Sequence, residues 1–237
     1  MLALAIALTL GAVLVYVLSP SLLIYSTHPL PVYALLAAAL AALTRAPQAK
    51  ARIAVGMLAL LLGGGIFYIH SVLSQIPLTP LNLSVGDAFP EVTLPTSTGT
   101  NFASAEIRGR SAALYLFYRG DWCPFCRTEL SVLNEYYERL RTAGVELFAV
   151  SVDTPEVSEA LRQRLGVPFT FLSDADGTLL DRLGIRHVGG HDGDDIAYPA
   201  QILVDRAGII RWTFRGDSYR QRARPEEVLA AIAALPQ

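Results

Sequence analysis

The segment Trp122-Cys123-Pro124-Phe125-Cys126 holds the only two cysteines of this 237-residue chain. Two residues between the sulfurs let one helical turn bring them within bonding distance, so a disulfide can close and reopen with little backbone movement. The run Leu114-Tyr115-Leu116-Phe117-Tyr118 ahead of it is apolar and aromatic and reads as a buried parallel strand. Behind it, Leu130, Leu133, Tyr137 and Leu140 recur at helical spacing. Pro124 suits the first helical position, where its missing N–H is no loss, which puts Cys123 at the helix N-cap. Free N–H groups and the positive end of the helix dipole favour a thiolate there, drawing a cysteine from about 8.5 toward 7 or below. Cys126 lies one turn further in and is expected to be better shielded and to stay a thiol. A static bridge across so small a loop would stabilise little. A zinc site would need two more ligands. The candidates near the domain, His187 and His191, stand far along the chain in a Gly/Asp-rich stretch. The expected chemistry is therefore reversible oxidation of the Cys123–Cys126 pair, with no metal and no other cofactor.

The elements that must position this pair occupy the second part of the chain, from about 87 to 237. Strands are predicted at Ala113 to Tyr118, Glu146 to Val152, Phe169 to Leu172, Gln201 to Val204 and Ile209 to Phe214. Helices are predicted at Cys123 to Ala143, Pro155 to Leu165, Leu179 to Leu183 and Pro225 to Ala234. Repeated βα units imply an α/β domain with a parallel-containing sheet covered on both faces. Asp174-Ala175-Asp176-Gly177 and Asp205-Arg206-Ala207-Gly208 read as turns, the second joining a hairpin. Arg119, Asp121, Arg127, Glu129 and Glu135 are expected to be solvated surface charges. The net charge of −2, without a basic stripe, implies no nucleic-acid partner.

The first part of the chain is different. The chain is 52% hydrophobic with mean hydropathy +0.40, and the excess lies before about residue 76. Residues 1–75 read as a helical membrane region with three spans, at about 2–18, 29–46 and 53–73, the second depending on its flanks for length. A cleaved signal peptide is the alternative for the first segment, which lacks a basic leader and a clear cleavage site. Arg45, Lys50 and Arg52 all fall in the connection Thr44 to Arg52, while Ser19 to Pro29 carries no formal charge. The positive-inside rule then puts 44–52 in the cytoplasm and everything after about Gln75 outside it. Residues 76–90, with Pro77, Pro80, Gly86 and Pro90, read as a linker. The spans carry no cysteine or internal acid for an electron relay, so their expected role is anchoring in the lipid bilayer. His70 is expected at the outer interface.

Four stretches carry a family resemblance: Val85-Gly86-Asp87-Ala88-Phe89-Pro90, the run Phe117 to Leu130, Val150-Ser151-Val152-Asp153, and Tyr198 to Asp205. Together they resemble the redoxin branch of the thioredoxin-like superfamily, which groups AhpC/TSA-type peroxiredoxins with membrane-anchored thiol–disulfide oxidoreductases of the TlpA/ResA kind. The resemblance covers 84–237 and implies a thioredoxin-like fold with a central mixed sheet flanked by helices. Aligned with the peroxiredoxin motif, Cys126 falls on the reactive cysteine, but Cys123 replaces its Thr and Arg119 its Pro. Where the activating Arg of peroxiredoxins would stand, this chain has Pro199, as at the thioredoxin cis-proline. The resemblance thus implies a cis Tyr198–Pro199 bond facing the dithiol, with the Tyr198 backbone free to pair with a substrate strand. Trp122 and Pro124 would complete the docking surface. The buried acid of many thioredoxins has no clear counterpart. The expected function is extracytoplasmic thiol–disulfide exchange with protein clients, supplied by a membrane electron donor, with Cys123 attacking and Cys126 resolving. The alternatives are a thiol peroxidase with Cys126 peroxidatic and Cys123 resolving, and a binding module without catalysis.

Overall fold

The computed structural model describes residues 1–18, 25, 28–77 and 80–236. The chain divides into two units, Met1–Ile76 and Pro77–Gln237.

The first unit is helical: α1 is Leu2–Leu18, α2 Leu30–Leu43 and α3 Ala49–Tyr68, the last continued by a π-helical turn at Ile69–Leu73. Ala12, Val32, Leu36, Ala59 and Ile66 form the apolar contact among them. Among the described residues, only α3 with its π turn, 25 residues long with an 18-residue stretch at mean hydropathy 2.0, is long and apolar enough to cross a bilayer, reaching about 37 Å against a hydrocarbon core of about 30 Å. The three-span expectation is corrected accordingly. With 17 and 14 residues, α1 and α2 extend only about 25 and 21 Å. In α2 the cause is local: it starts with a proline in its first turn and ends at Thr44, whose hydroxyl donates to the Ala41 carbonyl at 2.8 Å. Most of the uncharged connection 19–29 lies outside the described residues. His70 is buried within this unit, its Nε2 3.4 Å from Tyr16 Oη.

The second unit is built on strands β3 (Ala112–Phe117), β4 (Val145–Ser151), β5 (Thr170–Ser173), β8 (Ala200–Val204) and β9 (Ile210–Arg215). They form one sheet in the order β5-β4-β3-β8-β9. The first three run parallel, while β8 and β9 are antiparallel to their neighbours. All six residues of the central β3 are buried because both its faces are covered. Leu114, Leu116 and Tyr118 join the core with Leu130, Leu133 and Leu140 of α4 (Pro124–Thr142). The alternate residue Tyr115 stacks on Phe89 at 4.4 Å and on Phe148 at 5.3 Å. Helix α5 (Pro155–Leu165) is delimited by its own sequence. Thr154 caps it by accepting from Val157 N–H, and Gly166 closes it at φ 64°. Helices α6 (Thr178–Leu183) and α7 (Pro225–Ala233) follow as predicted, and Gly208, at φ 84°, makes the turn between β8 and β9.

Two hairpins and a docked segment depart from expectation. Strands β1 (Thr93–Pro95) and β2 (Asn101–Ala103) pair with each other. The Gly/Asp-rich stretch is itself a hairpin of β6 (Arg186–His191) and β7 (Asp194–Ala197). Glycines at its tip masked the alternation that marks a strand. The latter part of the predicted linker belongs to the domain. Asn82 N–H donates to the Leu183 carbonyl at 3.1 Å, Gly86 N–H to Ile210 at 2.9 Å and Phe89 N–H to Gly208 at 2.8 Å.

Candidate active site

Strand β3 ends at Phe117, and the chain turns through Tyr118-Arg119-Gly120-Asp121-Trp122 before α4 begins. Cys123 is the N-cap of α4 with Pro124 in the first turn, and its side chain makes no capping bond. Its sulfur is therefore left to the electrostatics of the helix start. Cys126, Glu129, Leu130 and Leu133 fall on the buried face of the same helix. Both cysteines are reduced and both are fully buried, so exposure does not separate them as expected. Their surroundings do.

Cys126 Sγ accepts from the backbone N–H of Arg119 at 3.4 Å and from Arg222 Nη2 at 3.1 Å. Arg222 comes from the segment before α7 and is itself buried. Its Nε donates to Glu129 Oε2 in a short contact, and its Nη1 donates to the carbonyls of Tyr219 at 3.0 Å and Gln221 at 2.8 Å. Gln201 of β8 donates to Glu129 Oε1 at 2.8 Å. Glu129, expected at the surface, is thus a buried acid beside the dithiol. Burial pushes its carboxyl up to about 7, although Arg222 and Gln201 pull the other way. Its position three residues after Cys126, in line with Leu130 and Leu133, was the available signal. Arg222 and Gln201 carried none.

The two sulfurs are pushed apart in acidity. Cys123 is drawn down to about 6, chiefly by a hydrogen bond from the Cys126 thiol and further by the charges of Arg222 and Arg119, against the cost of burial. Burial, and the thiol's donation to Cys123, hold Cys126 well above the ordinary range. A cysteine titrating near 6 is half thiolate at pH 6, so alkylation of the reduced protein should rise only about twofold from pH 6 to 8. An ordinary thiol near 8.5 would rise on the order of 75-fold. A ratio near the latter, measured with iodoacetamide at the two pH values, would remove the thiolate from Cys123.

Trp122 is half-buried and stacks on His191 of the β6–β7 hairpin, centroids 3.5 Å apart and planes within 15°. The Arg119 guanidinium lies 4.9 Å from the centroids of both Trp122 and Tyr219. A Cβ on Gly120 would collide with Trp122 Nε1, so glycine is required for the indole to lie where it does. Pro124 is exposed. Tyr198 and Pro199 are not: both are buried. No cis peptide occurs among the described residues, so the expected cis bond at Tyr198–Pro199 is corrected to trans. Nor is the Tyr198 N–H free for a substrate strand, because the chain's own backbone already pairs here. Tyr198 N–H donates to the Ile185 carbonyl at 2.7 Å, and the Pro199 carbonyl accepts from Gly216 N–H at 3.3 Å. The Tyr198 ring is held by His187 at 4.5 Å and by the Arg215 guanidinium at 4.4 Å. His187 and His191 thus engage different rings, and among the described residues no cluster of three His, Cys, Asp or Glu could hold a metal ion.

Residues 85–213, more than half of the chain, match the AhpC/TSA family. The chain belongs to that family. Among curated relatives of this AhpC/TSA protein, a Coxiella burnetii protein named as peroxiredoxin bcp is 31% identical over 132 residues, covering 55% of this chain and 87% of its own. The thiol-disulfide oxidoreductase ResA of Geobacillus thermodenitrificans is 26% identical over 135 residues, 56% of this chain and 71% of its own. Peroxidoxin BcpB of Mycobacterium tuberculosis superposes with TM-score 0.58 at 18% identity, over 65% of this chain and 99% of that structure. The fold is therefore the α/β thioredoxin-like one, and the relatives include proteins named as peroxiredoxins and proteins named as thiol–disulfide oxidoreductases. The site is that of a redox enzyme.

Proposed function

We propose that this protein is a membrane-tethered, extracytoplasmic thiol–disulfide oxidoreductase in which Cys123 is the attacking and Cys126 the resolving cysteine. The observation that carries this reading is the opposite displacement of the two sulfurs, Cys123 down to about 6 at the helix N-cap and Cys126 upward in the interior. The Cys123 thiolate attacks a client disulfide, forming a mixed disulfide and releasing one client sulfur as a thiolate that takes up a proton. The Cys126 thiol then gives its proton to the Glu129 carboxylate, and its thiolate, bonded to Arg222, attacks Cys123. The second client sulfur leaves as a thiolate and takes up the proton that Glu129 received, and the Cys123–Cys126 disulfide remains. Because the proton moves from one buried group to another beside the fixed Arg222 charge, the site's net charge does not change, which avoids a desolvation cost. Electrons from a membrane donor restore the dithiol.

Residues 49–73 form the tether in this reading. Arg45, Lys50 and Arg52 at or just before its start lie on the cytoplasmic side, and the catalytic domain on the other. An alkaline phosphatase fusion after Gln237 should be active, and a cytoplasmic reporter at the same point silent. The reverse pattern would refute the topology.

A second reading has one observation in its favour. Arg222 Nη2 at 3.1 Å from Cys126 Sγ puts a cation where a peroxidatic cysteine would use one. In that case Cys126 attacks peroxide and Cys123 resolves. Stopped-flow oxidation by hydrogen peroxide decides: the exchange reading expects a rate near that of a free thiol, whereas fast oxidation abolished by Cys126→Ser and retained by Cys123→Ser would establish the peroxidase.

A further inference from the structure

Strand β8 is apolar at every position but one. Ala200, Ile202, Leu203 and Val204 flank Gln201, and all five residues are buried. The register sets Gln201 opposite Leu116 of β3, so it lies on the face of the sheet that α4 covers, where Leu116, Leu130 and Leu133 share one core. There its Nε2 donates to Glu129 Oε1 at 2.8 Å, while its own Oε1 is buried with no hydrogen-bond partner. A buried acceptor left unmade costs stability that an apolar side chain of the same shape would not. Core packing therefore does not account for an amide at this position, and the contact with Glu129 does.

Among the described residues, each oxygen of the Glu129 carboxyl has its own donor: Oε2 has Arg222 Nε, and Oε1 has Gln201. The charged and titratable groups that act on this carboxyl are Arg222, from the segment before α7, and Cys126, one turn back on α4. Arg222 is shared, since its Nη2 donates to Cys126 Sγ and its Nη1 to two backbone carbonyls. The Gln201 side chain, among the described residues, bonds to Glu129 alone. A donor favours the ionised form of its acceptor, opposing the burial that pushes Glu129 up to about 7. Without it the carboxyl would hold its own proton at neutral pH and have no place for that of Cys126.

We propose that Gln201 is a positioning residue for resolution, whose amide N–H keeps the Glu129 carboxyl able to take the proton of Cys126. This rests on the exchange reading above. Gln201 acts through Glu129 and on neither sulfur, so its loss should slow the second step of the exchange and spare the first.

The test uses the full-length reduced protein in detergent with dithiobis(nitrobenzoate) as the disulfide, followed by stopped flow between about pH 5 and 9. The Cys123 thiolate attacks the reagent and releases one coloured thionitrobenzoate. Cys126 then gives its proton to Glu129, and through it to the buffer, attacks Cys123 and releases the second thionitrobenzoate, so two electrons pass from the dithiol to the reagent in two separable phases. In the wild type the second phase should rise with pH through a midpoint near 7, as Glu129 ionises. Gln201→Met keeps the volume and removes the amide. Loss of one hydrogen bond to a charged group should move that midpoint upward by about 1 to 2 pH units and slow the second phase about 5- to 50-fold at pH 7, with the first phase changed less than about twofold. A second-phase profile that coincides with the wild type, a midpoint that moves downward, or equal slowing of both phases overturns the role of Gln201 and leaves the exchange reading intact. If the wild type releases no second thionitrobenzoate, the exchange reading falls and this role falls with it.

Discussion

A Cys126→Ser variant is expected to lose catalytic turnover and to accumulate instead as a covalent adduct of Cys123 with its client. The attacking thiolate survives, but nothing remains to displace the client from the mixed disulfide. The hydroxyl cannot substitute, because its proton is held far too tightly to leave a nucleophile at neutral pH. Non-reducing electrophoresis should show a stoichiometric adduct that dithiothreitol releases, and sequencing the released protein identifies the client. Cys123→Ser should give no adduct, since Cys126 is held in the thiol form. Trapping by Cys123→Ser and not by Cys126→Ser would invert the assignment and favour the peroxidase.

Arg222→Ala is expected to be the most damaging substitution for stability. It strips the cation from Glu129, whose side chain is 2% exposed, and leaves that buried carboxyl and the Cys126 sulfur without their partner. Breaking such a buried pair from one side costs about 3–5 kcal/mol, or a fall in Tm of about 6–20 °C for a chain of this size. Replacing both partners, as in Glu129→Leu with Arg222→Met, should recover most of that loss, because an apolar pair of similar volume avoids the desolvation of both ions. Resolution of the mixed disulfide should stay slow in the double variant, which lacks both the proton acceptor and the cation at Cys126. Glu129 also leaves a pH signature. Its folded-state pKa is raised from 4.5 to about 7, so the folded state holds a proton that the unfolded chain has released. Its contribution to stability is therefore lost as pH rises from about 4.5 to 7. Thermal unfolding of Glu129→Gln across that interval should lack this slope, and an unchanged slope would assign it to another group.

Much of the fold was legible because its signals are local. Alternation and helical spacing located the five sheet strands and helices α4 to α7 within a residue or two, since each pattern reflects one face meeting the core. Gly208 marked the turn between β8 and β9 through its own backbone geometry. The placement of Cys123 at a helix start followed from Pro124 and the apolar strand before it. The charge that acts on Cys126 was not legible, because Arg222 is 96 positions away and Gln201 reaches Glu129 across 72. Nothing in the neighbours of Arg222 distinguishes it from a surface residue, and the strand that carries Gln201 does not say which helix it faces. Only the return of β8 beside β3, and the path of the chain from β9 to α7, bring them under the helix. The same holds for the Tyr198–Pro199 stretch, whose backbone is taken up by Ile185 and Gly216, and for the stacking of His191 on Trp122, which depends on a hairpin hidden in a glycine-rich stretch. By itself the sequence determined that two cysteines share one turn of a helix in a thioredoxin-like domain. Pro124 and the helix start already pointed to Cys123 as the thiolate; which charges act on the two sulfurs was decided by the tertiary structure, because buried charges interact through space with groups that chain order does not reveal.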